Sequence, residues 1–167
     1  MIFSSILFIY YFLPLLLLIY FIVPKKKKNL VLLIFSLLFY FYGESNIVLV
    51  ASLAMNYFFG IFISKEKDKE KNNQKNNAKL YLTLGVIANA ALLGYYKYMN
   101  FFIDNINVIF GADIKNLNII LPLGISFFTF QNISYLVDVY RGDVEAPKSI
   151  IKYGTYITLF PQLIAGP

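Results

Sequence analysis

The chain has 167 residues, of which 59% are hydrophobic, 19% aromatic and only 14% charged, with 15 Lys+Arg against 9 Asp+Glu and a net charge of +6. Soluble domains are roughly 45–50% apolar and about 25% charged; here the mean hydropathy is +0.63 and the apolar residues come in long runs, which points to a polytopic membrane protein. With no Cys and no His, disulfides, zinc–thiolate sites, thiol nucleophiles and the commonest general base are excluded, and lysines placed in loops between spans make nucleic-acid binding a poor reading.

The first apolar run, Ile2–Val23, is long enough for one span. It has no basic residues ahead of it, so it does not read as a cleavable signal peptide. Pro14 is expected to kink it. Pro24 and Lys25–Lys28 end the run, and four adjacent lysines mark the cytoplasmic side, which places the N-terminus outside. The next run, residues 30–42, is short for a hydrocarbon core of about 30 Å. Gly43-Glu44-Ser45-Asn46 breaks it, and residues 47–64 return, so the two read as a helical hairpin. Lys65–Lys79 holds six lysines against Glu66, Asp68 and Glu70. This loop is again expected on the cytoplasmic side, as a solvated linker or alternatively as an anionic-lipid patch.

Residues 80–99 form the next predicted span. Gly85, Ala88, Ala90, Ala91 and Gly94 permit close helix packing there, and Lys97 is placed to snorkel to the outer interface. Residues 101–110 mix Phe and Ile with Asp and Asn and read as a separate interfacial helix, ended by the turn Gly111-Ala112-Asp113.

The final stretch departs from the rest. It carries Pro122, Gly124, Gln131, Asn132, Asp138 and Arg141 in or beside membrane, where polar groups are costly and usually face a bundle interior or a water-filled cavity. A span over residues 121–140 is expected, with Pro122 in its first turn. Within it Phe127, Gln131, Ser134, Asp138 and Arg141 recur at steps of four and three, so they share one face. Asp138 and Arg141 are spaced to pair. A turn over Gly142–Pro147 and a short helix from Ser149 follow. Residues 149–167 read as interfacial or re-entrant, since Pro161, Gly166 and Pro167 break an apolar run. The fold class is therefore all-α: a polytopic α-helical membrane protein with about five spans plus short interfacial or re-entrant helices.

Three segments carry a family resemblance: Leu121-Pro122-Leu123-Gly124-Ile125-Ser126-Phe127-Phe128-Thr129-Phe130-Gln131, Tyr135-Leu136-Val137-Asp138-Val139-Tyr140-Arg141, and Phe160-Pro161-Gln162-Leu163-Ile164-Ala165-Gly166-Pro167. With weaker echoes at Phe12–Leu15, Ser36, Phe39-Tyr40, Asn56-Tyr57 and Lys97-Tyr98, they resemble the membrane-bound O-acyltransferase family, in the bacterial branch of alginate O-acetyltransferase and the teichoic-acid D-alanylation membrane protein. The resemblance implies a ring of helices around a tunnel. It implies acyl transfer from a cytoplasmic thioester, acyl-CoA or an acyl carrier protein, to hydroxyls of an extracytoplasmic envelope polysaccharide, through a partner protein and in the cell membrane. No bound cofactor and no metal are implied. The catalytic group is expected to be a histidine, and this chain has none. The 167 residues thus read as a single N-terminal membrane region of a longer enzyme, inactive alone. Gln131, Ser134, Asp138 and Arg141 are the candidate tunnel-lining, substrate-binding residues. A non-enzymatic transporter fragment and a degenerate scaffold remain as alternative readings.

Overall fold

The computed structural model describes residues 6–41, 46–71 and 76–159, and every regular element among them is helical. The helices are α1 (Leu13–Ile22), α2 (Lys28–Phe41), α3 (Asn46–Lys71), α4 (Ala78–Leu93), α5 (Met99–Phe110), α6 (Ile125–Arg141) and α7 (Ile150–Thr158). Two stretches, Ile47–Glu70 and Ala78–Phe110, are long and apolar enough to cross a membrane, and Phe8–Ile22 is a shorter apolar helix. At 1.5 Å per residue, α2 reaches about 21 Å and α6 about 26 Å.

Pro14 has no N–H for the carbonyl one turn before it. Directly upstream the helix widens into a π-turn, Phe8–Phe12, where the Leu13 N–H reaches back to the Phe8 carbonyl, and helix α1 then runs on without a break. The pair α1–α2 is sewn by edge-on phenylalanines, with ring centroids 5.8 Å apart for Phe8–Phe39 and 5.5 Å for Phe12–Phe35.

Several expected boundaries move. Helix α3 does not end at Ser64 but continues through Lys71. The charged residues expected as linker support it with Lys67–Glu70 and Lys69–Glu66 pairs three residues apart. Glu66 also accepts the Asn77 amide and so ties the end of α3 to the start of α4. The expected break between residues 99 and 101 is absent: helix runs from Ala78 to Phe110, loosened only by a π-turn at Gly94–Tyr98. No Pro or Gly interrupts α5, and its polar side chains find partners in the chain that returns beside it. Asn100 exchanges bonds with the Leu117 N–H and carbonyl, Asn107 does the same with Ile114, and Asn116 donates to Asp104. Gly111, at φ +62°, makes that reversal possible.

Pro122 is not in the first turn of α6. Its carbonyl accepts the Ile125 N–H in a tight turn, and Gly124, at φ +72°, starts the helix at Ile125. At the other end the Gly142 and Asp143 N–H groups both close on the Asp138 carbonyl. Of the small residues in α4, Gly85 is buried at a helix crossing while Ala90 and Ala91 are exposed. The segment Phe160–Pro167 and the break Gly43–Ser45 lie outside the described residues.

Helix α6 is the centre of the bundle, flanked by α3 and α4. Contacts of Ser52 with Asn132, Gly60 with Tyr135 and Lys67 with Tyr140 show α3 running parallel to α6. Contacts of Gly85 with Leu136 and Lys97 with Ser126 show α4 antiparallel to it. Helix α7 packs on α2, where the Thr155 hydroxyl donates to the Asn29 carbonyl.

Candidate functional site

Four helices meet around a buried polar cluster. Asn56 and Asn89, each the sole Asn of its apolar run, exchange amide bonds: Asn56 Nδ2 donates to Asn89 Oδ1 at 3.1 Å and Asn89 Nδ2 to Asn56 Oδ1 at 2.6 Å. Their second amide hydrogens go to the carbonyls one turn earlier, Ser52 and Gly85. Ser52 Oγ accepts Asn132 Nδ2 at 3.1 Å, and Asn132 Oδ1 accepts the Tyr153 hydroxyl at 2.6 Å. Every member is buried. An unpaired amide in such surroundings is costly, so the set acts as a unit that fixes the depth and rotation of α3, α4, α6 and α7 relative to one another.

The helices approach closely because glycine faces bulk at the crossings. A Cβ on Gly60 would overlap the Tyr135 hydroxyl oxygen, and one on Gly85 would lie 2.6 Å from Leu136 Cδ1. Tyr135 also meets Tyr153 in a tilted ring contact, 4.7 Å between ring centroids. Its hydroxyl is buried without a partner among the described residues, as are those of Ser36, Tyr40 and Thr129.

Beside this cluster, between the end of α6 and the start of α7, lies a partly open cavity of about 260 Å³. Tyr135, Val144, Pro147, Tyr153 and Tyr156 form most of its wall, and Asp138, Glu145 and Lys152 bring charge to it. Its lining can hold a mainly apolar group with a polar end.

The predicted stripe divides in this setting. Asp138 lines the cavity, and Gln131 turns to α7, donating to the Tyr156 carbonyl at 3.4 Å. Ser134 and Arg141 are exposed, as is Phe127, so the stripe borders the side of α6 away from α3 and α4. The expected Asp138–Arg141 ion pair does not form; the ion pairs among the described residues are Lys67–Glu70 and Lys69–Glu66. Helical spacing makes such a pair possible, but Arg141 is exposed, where an ion pair contributes little. The residues the periodicity overlooked are Ser52, Asn56, Asn89 and Tyr153. The available signal was a lone Asn in the middle of each of two successive apolar runs, since an amide there needs a partner on another helix. Among the described residues no cluster of acidic side chains could hold a metal ion.

No protein-family profile matches the chain, and no solved structure matches it. Curated relatives do. A peptidoglycan O-acetyltransferase of Helicobacter pylori is 36% identical over 156 residues, covering 77% of this chain and 28% of that protein. Probable alginate O-acetylases of Azotobacter vinelandii and Pseudomonas aeruginosa are 46% and 48% identical over 94 residues, covering 54% of this chain and 19% and 18% of theirs. The chain thus spans less than a third of the length of each of these relatives. On this similarity, the chain belongs to the membrane-bound O-acyltransferase family.

Proposed function

We propose that these residues form part of an O-acyltransferase that moves an acyl group, acetyl in the first instance, from a cytoplasmic thioester to hydroxyls of an extracytoplasmic envelope polysaccharide. The observation that carries this reading is the 36% identity with a peptidoglycan O-acetyltransferase across most of the chain. Its support from geometry is the cavity at the α6–α7 junction. Lys67 at the charged end of α3 reaches the Tyr140 ring at the same end of α6. In the orientation with Lys25–Lys28 and Lys65–Lys71 toward the cytoplasm, the cavity opens on the side of the donor. The N-terminus is then outside, and the five apolar segments cross or enter the bilayer.

In this reading Asp138 and Lys152 orient the polar part of an acyl-CoA or acyl-carrier thioester, and the apolar tyrosine wall takes its acyl end. Gln131 holds α7 against α6, while Ser134 and Arg141 line the donor path where further helices of the enzyme cover them. The base that deprotonates the acceptor hydroxyl comes from outside these residues, and transfer to the polymer passes through a polysaccharide-modifying partner protein.

The test is transfer of labelled acetyl groups from a thioester donor by the full-length protein in proteoliposomes, compared with Asp138→Asn and Lys152→Gln. We expect KM for the donor to rise about tenfold with kcat little changed, as for lost uniform binding, and the 167-residue chain to give no turnover. Turnover by the 167 residues alone, or no transfer by the full-length protein, contradicts the reading and returns a transporter or a scaffold to first place.

A further inference from the structure

The two lysine-rich segments differ in a way that composition conceals. Lys65–Lys71 holds four lysines and three acidic residues, a net charge of +1, and Lys67 and Lys69 are committed to Glu70 and Glu66. Lys25–Lys28 holds four lysines, and no Asp or Glu precedes Glu44. Lys25, Lys26 and Lys27 form a 3₁₀ turn, are all exposed, and have no acidic partner among the described residues. They stand at the start of α2, the positive end of its dipole, where cations are disfavoured unless an anion joins them. Lys28 is turned aside, its Nζ 4.4 Å from the Tyr20 ring centroid and 5.8 Å from that of Phe21. That fold-back pins the turn to the last turn of α1 and leaves the other three lysines exposed.

Directly next to these cations the surface is apolar. Phe21 and Ile22 are each 74% exposed, and Leu18, Leu30 and Ile34 are exposed beside them on α1 and α2. An occupant that meets both surfaces carries negative charge at one end and hydrocarbon at the other.

We propose that the Lys25–Lys27 turn is a binding site for the headgroup of an anionic phospholipid, whose acyl chains lie along Phe21, Ile22 and Leu30. The turn thereby anchors the α1–α2 junction to the anionic leaflet. The charged end of α3, where three carboxylates offset most of the charge of four lysines, is not such a site. This inference is independent of the acyl-transfer reading.

The full-length protein, purified in detergent, is measured by native mass spectrometry for retention of phosphatidylglycerol against phosphatidylcholine. Phosphatidylglycerol is expected to be preferred by about tenfold or more at low salt, with the preference falling as salt rises. The triple change Lys25→Gln, Lys26→Gln and Lys27→Gln abolishes the preference, Lys→Arg at the same positions retains it, and Lys65→Gln with Lys71→Gln leaves it intact. Should the glutamine variant not fold, a photoreactive benzoylphenylalanine at Ile22 in an otherwise native protein captures phosphatidylglycerol over phosphatidylcholine from vesicles holding both. Equal capture of the two lipids, equal retention by the folded glutamine variant, or displacement by inorganic phosphate at matched concentration overturns the proposal.

Discussion

Asn56 and Asn89 face each other across the α3–α4 interface and satisfy each other in both directions, each amide donating to the other's carbonyl oxygen. Removing one side chain leaves its partner buried with an unmatched donor and acceptor, at a cost of about 1–3 kcal/mol. Asn56→Leu or Asn89→Leu should each lower the unfolding midpoint of the full-length protein in detergent. The double variant should cost clearly less than the two single changes added together, because it leaves no orphaned amide. Additive losses would show that the pair does not act as one.

The α3–α6 crossing depends on the absence of a side chain at Gly60. A methyl there would overlap the Tyr135 ring edge and hydroxyl, and overpacking of this kind costs about 1–3 kcal/mol. Gly60→Ala is expected to destabilise, with partial recovery in combination with Tyr135→Phe. Gly94→Ala, with nothing within 4 Å of the added carbon, should be neutral or gain up to about 1 kcal/mol of helix propensity. Thermal unfolding of the three variants separates them.

Tyr153→Phe removes the donor that satisfies Asn132 Oδ1 and leaves the ring in place. The expected loss is about 1–2 kcal/mol. It should be accompanied by faster hydrogen exchange in α7, the helix this bond holds to the cluster. Unchanged exchange in α7 would mean that its contacts with α2 suffice.

Asp138 and Arg141 are independent in this fold, so Asp138→Asn and Arg141→Ala should show a coupling energy within about 0.5 kcal/mol of zero in a double-mutant cycle. A larger coupling would restore the ion pair that their spacing suggested.

Orientation is open to a direct measurement because the 167 residues contain no cysteine. An impermeant thiol reagent added to intact cells should label Lys115→Cys, on the exposed extended segment beside α5. It should not label Lys26→Cys or Lys65→Cys until the membrane is opened. The reverse pattern would invert the proposed topology.

The amino-acid sequence by itself determined that the chain is helical and apolar, where most helices begin, and to which family it belongs, because these follow from run lengths, breaker residues and local motifs. It misplaced the end of α3 and the continuity of α4 with α5. Those boundaries rest on Glu66 reaching Asn77 and on Asn100 and Asn107 gripping the returning chain, contacts between residues distant in sequence. It did not show which face of α6 packs into the bundle. Periodicity states that Gln131, Ser134 and Asp138 share a stripe, but not what that stripe faces. Only the tertiary structure decided that Asn132 and Tyr135 turn inward, because the bare surfaces at Gly60 and Gly85 admit α6 in one rotation and the buried amides of α3 and α4 are satisfied only in that same rotation.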